Sequence, residues 1–272
     1  MLKKIIQAIP VPHRFKLAVK TAPFIVVIIL LKLSAHYLGY EFLTLNALFT
    51  AIVSANIFLI GFLVSGVLTD YKESEKIPGD MASSIATMAD EGLILIKSKN
   101  SIESKNYLLH LKSFGNSLID WFYKKERTEN LMNLLVSFNN DFLLFESQTQ
   151  ANFIARLKQE QNQIRRMITR VHTIRETSFV GSGYAIAEII TLILVIGMIF
   201  IKVEPFYESV FFVSFVSFIL IYMIFFIKDL DDPFGYTPED SLVDFVDEVS
   251  LKPLLDNQRR IEEYCKQNTT QQ

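Results

Sequence analysis

One cysteine, Cys265, and one tryptophan, Trp121, stand in a chain of 272 residues. A lone thiol excludes an intrachain disulfide, a CxxC redox pair and a cysteine-built zinc cluster. Net charge is nearly absent at −2, so no bulk field draws the chain to nucleic acid, and a nucleic-acid partner is not expected. Only 21% of the residues are charged, below the quarter usual for soluble domains. Catalytic signatures are missing as well. There is no GxSxG, HExxH, GxGxxG or P-loop, and His13, His36, His110 and His172 are scattered over different segments. No residue is a candidate for catalysis, and the chain reads as something other than an enzyme. Neither a period-two strand pattern nor a repeat interrupts it, so every element is expected to be helical.

What the chain has in abundance is apolar surface. Half of it is hydrophobic, with 23 Phe and 10 Tyr. Four runs suit the hydrocarbon core of a bilayer, which takes about 20 residues of helix. The first extends from Thr21 to Tyr40, broken by Lys32 in its outer third. Lys32 reaches for the interface or draws anions to an outer mouth, and the sequence leaves both open. The second, Phe42 to Thr69, carries no charge over roughly 28 residues, about 42 Å at the helical rise. The third is Tyr184 to Ile201 and the fourth Ser209 to Ile227. Glu188 is the one acid inside these runs, placed either at a membrane boundary or in a proton relay.

Orientation follows from the basic residues. Lys3, Lys4, Arg14, Lys16 and Lys20 precede the first run with no acid among them, and Pro10 and Pro12 interrupt a leader that lacks a cleavage site. Both termini are therefore expected in the cytoplasm, in an inner or plasma membrane. The segment between the second and third runs holds 15 of the 27 basic residues, which places it on the same side. The chain divides into a basic segment 1–20, a hairpin 21–69, a cytoplasmic helical domain 70–183, a second hairpin 184–228 and an acidic tail 229–272. Within the central domain, apolar spacing predicts helices from Pro78, through Leu108 to Phe122, over Glu129 to Glu146 and over Ala151 to Arg175. A loop is expected around Lys97 to Ser104 and a hinge at Ser178 to Gly183. The tail groups Asp229, Asp231, Asp232, Glu239, Asp240, Asp244, Asp247 and Glu248, either as a solvated face or as oxygen donors for calcium, although no EF-hand spacing is present.

The second run holds a pattern of another kind. Ala47, Ala51, Ser54, Phe58, Phe62, Ser65 and Thr69 fall on one helical stripe, while Leu48, Ile52, Leu59 and Leu63 suit lipid. The stripe is either a packing seam inside the hairpin or the wall of a pore between subunits.

The stretch Phe58-Leu59-Ile60-Gly61-Phe62, followed by Tyr71, the acids Glu73 and Glu75, and Pro78, resembles the second membrane helix of bestrophins, where a Phe-x-x-Gly-Phe neck precedes an aromatic and acidic exit. Asp232-Pro233-Phe234-Gly235 is similar to the element with which that family leaves the membrane. The order of two crossings, helical insert, two crossings and tail also fits. The resemblance implies an all-α membrane protein that assembles as a homo-pentamer and passes chloride or other monovalent anions. Its neck would be formed by Phe58 and Phe62, with Ser54 in a third position that is often aliphatic in the family. Asp229, Asp232 and Asp240 would match calcium-clasp positions, with Thr237 replacing another carboxylate. Arg165, Arg166, Arg170 and Arg175 on the long basic helix would focus anions in a cytoplasmic vestibule, or simply report the positive-inside bias. A rival reading is a non-conducting scaffold or stator-like component working with a partner protein.

Overall fold

The computed structural model describes residues 15–99, 101–177, 181–236 and 249–269. Among them are nine helices: α1 (Lys16–Tyr37), α2 (Ala47–Ser74), α3 (Ile77–Lys99), α4 (Ile102–Phe122), α5 (Thr128–Phe145), α6 (Ala151–Glu176), α7 (Gly181–Ile199), α8 (Phe206–Leu230) and α9 (Lys252–Thr269). The apolar stretches of α1, α2, α7 and α8 are each long enough to cross a membrane. Two compact units result, one from residues 1–71 and 178–231, the other from 72–177 and 232–272.

In the membrane unit α1 packs along α8, and α7 lies against both. Ile28, Ile60, Leu63, Val67, Leu194 and Leu220 are buried in its core. An all-helical chain was the expectation, and here it needs correcting. Leu43–Thr44 (β1) and Ile201–Lys202 (β2) form a short parallel pair with Leu43 opposite Ile201. Each strand is two residues long, too short to show a period in the sequence. The pair also moves the start of the second crossing from Phe42 to Ala47. Asn46 Oδ1 accepts the N–H of Phe49 at 2.9 Å, which caps the first turn of α2 and fixes where the helix begins.

The second unit is a bundle of α3 to α6 with α9 against α3 and α4. Its core is aromatic: Tyr107, Phe138 and Phe145 are all fully buried, and the Tyr107 ring meets that of Phe145 edge-on at 5.2 Å. Burying one such ring contributes about 2–3 kcal/mol. The loop expected at 97–104 is far shorter. α3 runs through Lys99, and Ser101 caps α4 by accepting the N–H of Ser104. The hinge expected at 178–183 lies partly outside the described residues, and Gly181, Ser182 and Gly183 are already helical. α3 and α4 approach closely at Gly92, where a Cβ would sit 2.9 Å from two Tyr107 ring atoms while the Tyr107 hydroxyl donates to Met88 O at 3.1 Å. Gly92→Val therefore costs about 1–3 kcal/mol of stability through overpacking, read as a lower melting temperature of the detergent-solubilised protein.

Candidate functional site

All seven residues of the small-aromatic-polar stripe on α2 are exposed, Phe58 at 78% and Phe62 at 64%. Among the described residues no helix covers it, so it is not a seam within the described hairpin. The opposite face of α2, comprising Asn56, Ile60, Leu63 and Val67, is at most 2% exposed and turns toward the rest of the membrane unit. Leu63 thus belongs to the core rather than to the lipid surface expected for it. It lies nine residues from Ser54, two and a half helical turns and so half a turn around the helix. A protein–solvent boundary suits Phe only where lipid or another copy covers it, and Ser54, Ser65 and Thr69 on the same face make a wholly lipid-facing role a poor match.

Lys32 corrects both expectations placed on it. Its side chain is fully buried, and its ammonium donates to Glu41 Oε1 at 2.6 Å, to Ile199 O at 3.3 Å and to Ile201 O. The charge neither reaches an interface nor faces an opening. It ties the turn after α1 to the turn after α7, beside the β1–β2 pair. The other carboxylate oxygen of Glu41 meets His36 Nδ1 at 2.8 Å, and the His36 ring stacks on Phe206 at 3.7 Å. Burial opposes ionisation of Glu41, but the bonds from Lys32 and His36 overcome it and hold the carboxyl below its ordinary 4.5. The sign follows: the native state favours the charged form, so the stabilisation is complete above the ordinary value and is lost as pH falls through the lower native one. A melting-temperature titration from about pH 6 to about pH 3 should show an acid loss that is smaller in Glu41→Gln.

Glu188 is not isolated in the membrane unit. It pairs with Lys228 at 2.8 Å, and nearby in sequence Tyr184 donates to Asp231 Oδ1 at 2.8 Å. These bonds join the start of α7 to the end of α8, as a boundary position requires.

Of the five arginines of α6, the four expected in a vestibule have separate surroundings within the second unit. Arg170 forms a bidentate pair with Glu73, at 3.2 and 2.8 Å. Arg166 lines a shallow groove together with Asp80 and Glu160. Arg165 is half-buried. Arg175 is committed to packing: it donates to Trp121 O at 3.2 Å and Phe122 O at 2.8 Å, and its guanidinium lies 4.7 Å from the Trp121 ring centre. Burial pulls its pKa down to about 10 against the opposing charge of Asp232. Phe234, fully buried, packs 5.7 Å from Phe122 and 5.9 Å from the Arg175 guanidinium. The Asp232-Pro233-Phe234-Gly235 element is therefore a plug over the end of α4, secured by Pro233 O accepting from Val249 N at 3.1 Å and by the Tyr236 hydroxyl on Val249 O. Arg175→Ala removes two charge-assisted bonds and a cation–π contact, an expected loss of about 3 kcal/mol that Arg175→Lys recovers only in part. Chemical denaturation followed by Trp121 fluorescence measures it.

The candidate calcium positions are Asp229, Asp232 and Asp240. Asp240 lies outside the described residues, Asp232 supports Arg175, and among the described residues no three His, Cys, Asp or Glu side chains converge. Conversely, two histidine-bearing clusters were invisible in the sequence. The second, besides His36, joins His110 Nδ1 to Asp141 at 2.6 Å and His110 Nε2 to Ser137 Oγ at 2.9 Å. The three residue types are those of a hydrolytic triad, but Leu134 O, 2.7 Å from Ser137 Oγ, is a second acceptor for the hydroxyl proton. Ser137 and Asp141 are one turn apart on α5, but His110 comes from α4, and only the fold reveals the pairing.

A helical membrane unit joined to a helical bundle is an architecture that solved structures share. No protein-family model and no curated protein matches the sequence. A crystal structure described as a membrane protein superposes with a TM-score of 0.75 over 90% of this chain and 98% of that one, at 13% identity. A variant of the bacterial bestrophin homologue from Klebsiella pneumoniae gives 0.74 over 92% and 99%, at 16% identity. Another crystal structure of that homologue gives 0.71 over 90% and 97%, at 15% identity. The chain has the fold of the bacterial bestrophin homologues, as the resemblance in its second and fourth crossings implied.

Proposed function

We propose that this chain is one subunit of a bestrophin-like channel that passively conducts chloride or other monovalent anions. Five copies surround a central axis in the cell membrane, with both termini in the cytoplasm, and α2 of each lines the pore. Ser54, Phe58 and Phe62 form the neck. The observation that carries this reading is the exposure of Phe58 and Phe62 on a helix whose other face is buried, within a fold shared over nearly the whole chain with bestrophin homologues.

The chemistry is consistent with anions. Phenyl rings present a positive edge, so side chains directed edge-on into a narrow opening favour negative charge modestly. A ring of apolar side chains also excludes water, so an ion crosses after shedding part of its hydration. The short apolar zone left by Ser54 keeps that barrier low. Arg165 and Arg166, together with Lys158, contribute local cationic potential on α6. Weakly hydrated anions should therefore outrun chloride, in the order thiocyanate, iodide, chloride, each step worth about a few-fold in permeability. The test is flux from proteoliposomes of the purified protein, comparing these anions with potassium. Anion efflux well above potassium efflux supports the reading, whereas a sealed vesicle or a cation preference rejects it.

A further inference from the structure

α2 has few close contacts with the other membrane helices, and both of its faces are apolar over most of their length. In a bilayer, lipid is as apolar as Leu, so burial alone does not determine which face turns inward. Phe58 and Phe62 are no less suited to a protein interior than Ile60 and Leu63 are. One buried polar side chain distinguishes the faces. Asn56 is 1% exposed and its Nδ2 donates to Thr191 Oγ1 of α7 at 2.9 Å. Thr191 is itself only 6% exposed. Rotating α2 would carry the Asn56 amide out of reach of this partner and into hydrocarbon, where nothing accepts its N–H.

We propose that the Asn56–Thr191 hydrogen bond sets the rotational phase of α2 and so determines that Phe58 and Phe62, rather than Ile60 and Leu63, form the neck. At 3.6 residues per turn, Phe58 and Phe62 lie about 200° and 240° around the helix from Asn56, and roughly 3 and 9 Å along it. The bond thus acts from directly behind the neck, on the face turned away from it. Asn56 touches no permeant ion in this account; it is a positioning residue. The link to permeation rests on the channel reading above, whereas the phase itself does not.

The experiment separates the two. Nitroxide labels are placed singly at positions 57 to 63 in a Cys265→Ser background, and collisions with oxygen report the exposed face, whether lipid or water covers it. The same backgrounds without labels are assayed for thiocyanate against chloride flux. In the parent protein, accessibility peaks at 58 and 62. Asn56→Leu and Thr191→Val are expected to broaden or move that peak and to change the thiocyanate to chloride ratio at least about threefold. Swapping the partners, Asn56→Thr with Thr191→Asn, is expected to restore both. An unmoved peak in folded Asn56→Leu and Thr191→Val proteins would overturn the inference whatever the flux does. A moved peak in a protein that never conducts would uphold the phase-setting role while removing the channel reading.

Discussion

Replacing Phe58 and Phe62 together with Ala is expected to raise single-channel anion conductance about tenfold, equivalent to roughly 1.4 kcal/mol off the crossing barrier. The argument is local. The two side chains are exposed at 78% and 64%, so truncating them leaves no cavity in the subunit and does not disturb its core. Whatever changes must arise where the rings meet something outside the subunit. In the proposed channel, taking away the rings would widen the neck, let water enter and remove the positive ring edges, so conductance should rise while discrimination between thiocyanate and chloride falls. Planar-bilayer recording of the double variant measures both. Unaltered currents in a correctly assembled double variant would remove the neck from the account.

Lys32→Met should be the most destabilising single change in the membrane unit, by about 3–5 kcal/mol. The ammonium is fully buried, and Glu41, which it contacts at 2.6 Å, is 8% exposed. Without Lys32, a carboxylate and the carbonyls of Ile199 and Ile201 lose their donor in a place where water does not replace it. Most of that cost is the stranded carboxylate, so Lys32→Met with Glu41→Leu should regain the larger part. Thermal unfolding in detergent distinguishes the cases. Equal melting temperatures for the parent and Lys32→Met would show that the cluster contributes nothing.

The sequence carried the elements well because they are written in local patterns. Four apolar runs became α1, α2, α7 and α8, and three- and four-residue spacing located α3 to α6 to within a few residues, apart from the loop expected at 97–104. The stripe through Ser54, Phe58 and Phe62 was legible as one helical face, but whether that face is covered was not, since both sides of a membrane helix are apolar. Three features escaped for a different reason: they depend on partners far apart in the chain. Lys32 meets carbonyls 167 and 169 residues away, Arg175 reaches carbonyls 54 and 53 residues away, and Asn56 finds Thr191 at a separation of 135. Lys32 in isolation fits an interfacial lysine or a charge at an outer mouth, and Arg175 fits a cationic helix. The Asn46 cap of α2 was readable in principle, because Asn directly before a helix is a strong start signal.

The most direct measurement is the structure of the purified assembly in a lipid nanodisc by electron cryomicroscopy. The account predicts five copies around an axis, with the Phe58 and Phe62 rings of every subunit surrounding one central opening. A monomer, or an oligomer in which those rings face the acyl chains, would contradict it.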